Sequence, residues 1–290
     1  MARAQAWPAP RLDPRHAALH ITDMSNLPGN PGAVTGLDHV GIVGASLDAL
    51  ARAFLDFGFH LTPCAAHVSG RTANRCVMLR DGGYLELMAT IPGQSSATLD
   101  GFLTRGRGAH VLALEIADET AALERLNRAP ASSGMAAGGV SIAERLLDAA
   151  APEGPRARFA LLMPSDSPDG RILLIRHLTP GLLWQPEHVV HPNGALALTE
   201  AVYAVAAPAG TMARLSRLAG RPAEPDPLGG YRISCGRGAV RVLPPAAAET
   251  LFPGVSGGAP LTGLTIAAAI PEARVVHAGG VAIRFVPASP

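Results

Sequence analysis

The chain has 290 residues, a formal net charge of +1, 48% hydrophobic residues and 16% charged residues. This length can bury two modest cores, whereas the small net charge and the lack of a basic run argue against nucleic acid or anionic lipid as the main partner. No apolar run is long enough to cross a bilayer. We therefore expect a cytoplasmic protein whose partner is a small molecule.

Cysteine and lysine usage narrows the chemistry further. Cys64, Cys76 and Cys235 are widely spaced, so they form neither a CxxC metal motif nor an even disulfide framework, which favours a reducing compartment. The chain contains no lysine. Schiff-base chemistry and the phosphate-binding lysine of a nucleotide loop are therefore excluded.

The first predicted domain follows an N-terminal stretch, residues 1–35, that carries several prolines and no continuous apolar segment. We expect this stretch to be a disordered extension. The strand LDHVGIVG comes next, and then a helix that Ser46 caps and whose first turn contains Asp48. Two further strands and the strand YLELMAT complete a βαβββ unit that ends near Thr90.

A second unit of the same kind is predicted from Gly108 to about Leu178. It opens with the strand AHVLALEI, followed by a helix over 119–127 and a second helical stretch over 141–150. The strands RFALLMP and RILLIRHL close the unit. Together the two units form a predicted paired-module domain over residues 36–180.

A connector over 181–193, which contains Gly, Pro and Trp, separates this domain from a second, degenerate half over 194–290. The third unit contains the helix TMARLSRLAG and a hairpin made of YRISCG and AVRVLPP. The fourth is short, and only its PEARV stretch is capable of forming a helix. We expect this half to play a structural part by closing a pocket or by mediating contacts in a homodimer.

Four strands that each begin at a turn rich in glycine give the strongest architectural signal: GGYLELM, DGRILLIR, RGAVRVLP and GGVAIRFVP. Each follows an earlier strand in its own unit, so one unit is repeated four times. The repeat predicts an α+β fold of two double-module halves, each a curved mixed sheet with helices outside.

Only the first unit places a histidine on its opening strand, His39, and a carboxylate on its closing strand, Glu86. The first and last strands of such a unit can lie side by side, so the two side chains can converge. Aligning the opening strands puts His110 opposite His39. These three residues would make a 2-His-1-carboxylate site for a divalent Zn, Ni, Mn, Co or Fe ion.

Two further histidines are candidate pocket residues. Leu173 takes the position of Glu86 in the second unit and cannot ligate, but His177 lies four residues later on the same strand face. His191 belongs to the connector segment EHVVHPNGA, where a structural role is the first interpretation and a place in the pocket wall is the alternative. In the second half, Glu200 and Arg241 fall close to the positions of His39 and Glu86.

The motifs DHVGIV, FGF and YLELM, followed by TPGLLW and HPNGA, resemble those of the vicinal oxygen chelate superfamily, and most of all its glyoxalase-like branch. The resemblance covers about residues 36–178. It implies the paired βαβββ fold of the glyoxalase, bleomycin-resistance and dihydroxybiphenyl dioxygenase proteins. It also implies a divalent metal, held by His39, Glu86 and His110, that chelates two neighbouring substrate oxygens.

Three functions are compatible with this resemblance. The first is a metal-dependent lyase, isomerase or dioxygenase that acts on a small oxygen-rich or aromatic metabolite. The second is a metal-free protein that binds or sequesters a small molecule, and the third is a non-catalytic dimeric scaffold. Leu173 argues against lactoylglutathione isomerisation, because it removes the carboxylate that such an isomerase has on the closing strand of its second unit.

Overall fold

The computed structural model describes residues 32–67, 70–128, 136–164, 169–255 and 258–289. Most of the expected extension over 1–35 lies outside the described residues. Within those ranges the chain forms fifteen strands and five α-helices, which makes the fold α+β and confirms the predicted class. No helix in this part of the chain is long and apolar enough to span a membrane.

The first module has the predicted order of elements: β1 (Val34–Val43), α1 (Leu47–Asp56), β2 (Ala65–Ala66), β3 (Thr72–Met78) and β4 (Tyr84–Thr90). Helix α1 begins where expected, because the Ser46 side chain accepts a hydrogen bond from the backbone N–H of Ala49. Its buried face consists of Leu50, Ala51 and Phe54. These residues recur at helical spacing in the sequence, so they form one apolar face that packs on the sheet.

The second module consists of α2 (Ala97–Leu103), β5 (Gly108–Ile116), α3 (Glu119–Asn127), β6 (Ser141–Leu146), β7 (Arg156–Leu162) and β8 (Arg171–His177). The prediction of a helix over 141–150 is wrong, because this segment starts with strand β6. Ala, Glu, Arg and Leu favour a helix locally, but all six residues of β6 pair antiparallel with β7. Tertiary pairing overrides the local preference here.

The second half repeats the plan with shorter elements. Two 3₁₀ turns (Pro180–Leu182 and Pro186–His188) lead to β9 (Ala195–Ala204), α4 (Pro208–Ala219), β10 (Glu224–Pro225), β11 (Tyr231–Ser234), β12 (Ala239–Leu243), α5 (Pro245–Leu251), β13 (Leu261–Ala268), β14 (Arg274–Ala278) and β15 (Val281–Pro287). The PEARV stretch is a turn that runs into β14, so the short fourth helix that we expected is not formed.

The first and last strands of every module are parallel neighbours: β1 with β4, β5 with β8, β9 with β12, and β13 with β15. Within each half the two opening strands pair antiparallel, β1 with β5 and β9 with β13. The pairing of Leu261 with Ala109 links the two halves into one sheet, and an isolated parallel bridge joins Gly36 to Arg237 between them. This arrangement brings side chains of β1, β4, β5 and β8 to one wall.

The sheet of the first half curls until its two ends meet. Strands β2 and β6 are its outermost strands, and an isolated antiparallel bridge joins His67 to Arg145 across the gap between them. On the outer side of β1, Leu37, Val40 and Ile42 belong to the main hydrophobic core, which also contains Leu198 and other residues of the second half. The inner side of the curl is left to line a pocket.

Candidate functional site

The curled sheet of the first half encloses a pocket of about 210 Å³. Apolar side chains from β4, β5, β7 and β8 form most of its wall. The polar side chains that line it are His39, His67, Glu86, Glu144, Arg145 and Arg171. The pocket is therefore a largely apolar cavity with a few convergent polar groups, which is the usual character of a small-molecule site.

Asp38 lies behind the pocket at a bulge in β1. The pairing of β1 with β5 shifts between Leu37 and His39, so Asp38 is the extra residue, and bulges commonly redirect side chains near functional sites. Asp38 is fully buried. One of its oxygens is 2.6 Å from Nδ1 of His39 and the other is 2.9 Å from Nε2 of His177.

The charge of Asp38 fixes the tautomers of both rings. Burial would raise the pKa of Asp38, but the charges and hydrogen bonds of His177 and His39 outweigh burial and hold the pKa well below its usual range. An ionised carboxylate only accepts hydrogen bonds, so Nδ1 of His39 and Nε2 of His177 both donate. His39 therefore presents its Nε2 to the pocket, while its ring stacks on Tyr84 at 4.3 Å.

The structure brings His39 and Glu86 together, as their strands led us to expect. Glu86 pairs with Gly41, two residues after His39 on the neighbouring parallel strand, and two-residue spacing keeps side chains on one face. Nε2 of His39 lies 3.7 Å from Oε2 of Glu86. The oriented imidazole and the carboxylate thus face each other at a distance longer than a hydrogen bond.

Three more polar side chains surround Glu86. Asn74 Nδ2 donates to Glu86 Oε1, and Nε2 of His67 lies 3.5 Å from the same oxygen. Arg145 Nη1 donates to Asn74 Oδ1 at 3.0 Å. Burial would raise the pKa of Glu86, but the hydrogen bond and charge of His67, with the charges of His39 and Arg145, lower the pKa to about 2. Glu86 is therefore ionised at neutral pH.

Sequence reasoning did not find His67, Asn74 or Arg145. Asn74 and Cys76 are two residues apart on β3 and therefore lie on the same face, and Cys76 pairs directly with Glu86. The period of the strand could thus have placed Asn74 near the carboxylate. Arg145 was concealed by the predicted helix over 141–150. His67 had no signal of its own, because β2 is only two residues long.

His110 is not brought to His39 and Glu86. The pairing of β5 with β1 shifts at this point, and Val111 rather than His110 pairs with Gly41. The His110 ring instead stacks on Phe102 of α2 at 5.0 Å, and its Nε2 is 2.7 Å from the carbonyl oxygen of Gly106. Val111 lines the pocket and His110 does not.

The register explains this outcome. Glu86 pairs with Gly41 in the first module, and its counterpart Leu173 pairs with Ala113 in the second. Two residues before each partner lie His39 and Val111, so these two correspond. The alignment that matched His39 with His110 is displaced by one residue, and such a displacement changes which way a strand side chain faces.

Neither His177 nor His191 lines the pocket. His177 binds Asp38 from behind and packs against the Trp184 ring at 4.8 Å. His191 is a structural link: its Nδ1 accepts from the backbone N–H of His60 at 3.0 Å, and its Nε2 is 2.8 Å from the carbonyl oxygen of Met78. The structural interpretation of His191 fits this geometry.

The second half has an ion pair where the first half has its polar pair. Arg241 pairs with Val202, two residues after Glu200 on the parallel neighbour, so Glu200 and Arg241 correspond to His39 and Glu86. Arg241 Nη1 is 3.3 Å from Glu200, and the same guanidinium binds Asp226 at 2.7 and 2.8 Å. A cation thus stands where the first half has its carboxylate.

The residues of the pocket fit two positions of a divalent-metal site. His39 Nε2 and the Glu86 carboxylate are suitable donors, and a carboxylate on the other ring nitrogen, here Asp38, typically orients a metal-binding histidine. Across the described ranges, no group of three His, Cys, Asp or Glu side chains is arranged to hold an ion. Val111 and Leu173 occupy the corresponding positions of the second module, so the remaining ligands would be substrate oxygens or water.

Comparison with known proteins agrees with this fold. A protein-family model described as "Glyoxalase-like domain" matches residues 37–219, that is, the first two modules and the chain through α4. None of the curated proteins compared matches the chain.

Solved structures resemble the chain over most of its length. A hypothetical protein from Staphylococcus aureus has a TM-score of 0.63 and 14% identity over 87% of this chain and 99% of that chain. A xylose isomerase-like TIM barrel/4-hydroxyphenylpyruvate dioxygenase fusion protein has a TM-score of 0.50 and 14% identity over 83% of this chain and 38% of that chain. Methylmalonyl-CoA epimerase from Mycobacterium tuberculosis has a TM-score of 0.36 and 25% identity over 54% of this chain and 93% of that chain. At 14% identity the first two show the fold alone.

Proposed function

Because the chain belongs to the glyoxalase-like domain family, we propose that it is a metal-dependent enzyme of the lyase, isomerase or dioxygenase class. Its substrate is a small oxygen-rich or aromatic metabolite held in the pocket of the first half. One observation carries the proposal: an imidazole oriented by a buried aspartate, His39, faces an ionised carboxylate, Glu86, on the pocket wall.

The buried Asp38 prepares His39 for proton transfer or for ligation. Its carboxylate accepts a hydrogen bond from Nδ1–H of His39, so the lone pair of Nε2 is directed toward the pocket. The negative charge of Asp38 also stabilises the imidazolium that forms if Nε2 accepts a proton from the substrate. His177, on the other oxygen of Asp38, keeps the carboxylate in place.

Glu86 supplies the fixed negative charge of the site. Its low pKa keeps it ionised, and Asn74 and His67 orient its oxygens. His39 Nε2 and Glu86 are the residues that would hold a divalent Zn, Ni, Mn, Co or Fe ion. When bound, such an ion acts as a Lewis acid on substrate oxygens.

The second candidate function is a metal-free protein that binds a small molecule in the same pocket. The apolar Val111 and Leu173 favour it, because they stand where a four-ligand site would have donors. The polar partners that Glu86 already has favour it too, since they stabilise the carboxylate without an ion.

Metal content separates the two functions and requires no substrate. We would purify the wild type, Glu86→Gln and Glu144→Gln and measure the metal per chain by elemental analysis, with a melting curve for each protein. Glu144 is the matched control, because it is a carboxylate that lines the same pocket and pairs with Arg158 at 3.2 Å. We expect a metal in the wild type and in Glu144→Gln and its loss in folded Glu86→Gln. Equal metal content in Glu86→Gln, or a wild type that binds none of the five metals when they are supplied, would select the binding protein.

A further inference from the structure

Arg145 lines the pocket, and two of its three guanidinium nitrogens have no hydrogen-bond partner among the described residues. The side chain is 7% exposed and lines the pocket beside Phe159. Nη1 is engaged, because it donates to Asn74 Oδ1 at 3.0 Å and lies 3.1 Å from the Cys76 sulfur. Nε is buried without a hydrogen-bond partner. No described residue accepts a hydrogen bond from Nη2 either.

The free edge has a definite chemical preference. Nε–H and Nη2–H point in the same direction from one side of the planar guanidinium, and this pair of donors matches the two oxygens of a carboxylate. Buried donors in native proteins nearly always have partners, so unpaired ones in a pocket wall call for an explanation. A bound anion would satisfy both donors of Arg145 at once.

The charges of the pocket leave room for one negative group. Arg145 and Arg171 are the two cations of the lining, and Glu86 is the carboxylate that faces inward. The charge of Glu144 is offset by Arg158 at 3.2 Å. Asp38, whose oxygens bind His39 and His177, lies behind the wall, so the inward-facing side chains of the lining itself include two cations and one carboxylate.

The rest of the lining defines the remainder of the ligand. Met88, Val111, Leu161, Leu173 and Ile175 are apolar, and Phe159 adds an aromatic face. A volume of about 210 Å³ is below the roughly 300–1,000 Å³ of pockets for drug-sized ligands. The ligand is therefore small, with an alkyl or aryl body.

We infer that Arg145 binds the carboxylate of the substrate through Nε and Nη2, so that the pocket selects small alkyl or aryl carboxylates. This inference rests on the proposed function, because it takes the ligand of the pocket to be a substrate, and it specifies the chemical class of that substrate. Asn74 lies between Arg145 and Glu86. The ligand carboxylate thus binds at the edge formed by Nε and Nη2, and the body of the ligand extends along the apolar wall.

The test uses pairs of probes that differ only in charge: phenylacetate with phenylacetamide, and hexanoate with hexanamide. Binding to the wild type is measured by calorimetry or by ligand-observed NMR. We expect at least one carboxylate to bind about tenfold or more tightly than its amide, because a bidentate charge-assisted pair is lost in the amide. This comparison needs no variant, so it does not depend on how a substitution affects folding.

Two variants then assign the effect to Arg145. Arg145→Lys keeps the charge but removes the two-donor edge, and we expect it to weaken the carboxylate about tenfold while leaving the amide unchanged. Arg156→Gln is the matched control, because Arg156 is an exposed arginine on the adjacent strand β7 and lies outside the pocket. It should bind both probes as the wild type does.

Three outcomes would overturn the inference: equal affinity for carboxylate and amide, full carboxylate affinity in folded Arg145→Lys, or no binding of either carboxylate at about 10 mM, a concentration about tenfold above a millimolar Kd. The metal content of the same samples keeps the two proposals apart. Carboxylate binding without any metal supports Arg145 and refutes metal dependence. Metal that depends on Glu86, without selective carboxylate binding, does the reverse.

Discussion

Replacing His191 with glutamine should remove a part of the fold's stability that depends on pH. His191 is 2% exposed and joins the connector to the first half through the backbone of His60 and Met78. Because Nδ1 accepts the amide proton of His60, the ring must be neutral to make both hydrogen bonds. Protonating Nδ1 would turn this acceptor into a donor that faces another donor.

The magnitude follows from the pKa of this ring. Burial, reinforced by the nearby charges of His60 and Arg80, lowers the pKa of His191 from 6.5 to about 4. The unfolded chain therefore binds a proton near pH 6.5, whereas the folded chain binds it only near pH 4. The stability from the neutral ring is present above pH 6.5 and is lost as the pH falls to 4. A difference of 2.5 units at 1.36 kcal/mol each gives about 3 kcal/mol.

Urea unfolding at a series of pH values from 7.5 to 4.5 would measure this loss. His191→Gln cannot be protonated, so the difference in unfolding free energy between wild type and variant isolates the His191 contribution from groups that titrate in both proteins. At pH 7.5 we expect the variant to be about 2 kcal/mol less stable, because packing and hydrogen bonding are lost. This deficit should shrink by about 2 kcal/mol by pH 4.5.

The matched control is His188→Gln, three residues earlier in the same connector, which removes a histidine but leaves the hydrogen bonds of His191 to His60 and Met78 in place. A deficit of His191→Gln that stays constant from pH 7.5 to 4.5 would refute the reasoning. It would mean that the folded chain protonates His191 as readily as the unfolded chain does.

Two further substitutions probe Asp81, which is half-buried, and Asp38, which is fully buried. Asp81 acts in the opposite sense to His191: burial raises the pKa of Asp81 from 3.8 to about 6, so the stability that this shift provides is present below pH 3.8 and is lost as the pH rises through 6. Asp81→Asn should exceed the wild type in stability by up to about 3 kcal/mol at pH 8 and match it near pH 4, and an unchanged or lower stability at pH 8 in urea unfolding would contradict this. Asp38→Asn leaves one acceptor oxygen for two N–H donors and should cost about 2–4 kcal/mol in urea unfolding at pH 7. A cost below about 1 kcal/mol would mean that the two histidines have other acceptors.

The His39–Glu86 contact could be predicted because it depends on a regular feature. Parallel pairing of the first and last strands of a module follows from the order of elements and the short turns. With β1 beside β4, two residues of spacing are enough to place both side chains on one wall. The glycine turn at 82–83 marks where β4 begins, so the sequence contained the information required.

The arrangement around this contact could not be predicted, because it depends on irregular features. A bulge redirects Asp38, and a shift in pairing removes His110 from the row that faces the pocket. Hydrophobic period does not reveal such insertions of a single residue. Arg145 illustrates a second limit: its segment has helix-forming composition, and only pairing with β7 makes it a strand.

Contacts from the second half support the bulge in β1, and this gives that half a part in the candidate site of the first half. Arg237 forms backbone hydrogen bonds with Leu37 and Thr35, on the N-terminal side of Asp38. Its guanidinium also donates to the carbonyl oxygen of Leu37 at 2.8 Å and to Glu115 at 2.8 Å. These contacts fix the backbone on one side of the bulge, while His177 and His39 fix the Asp38 side chain on the other. The degenerate half thus holds the strand that orients His39, whereas its own Arg241 is bound by Glu200 and Asp226.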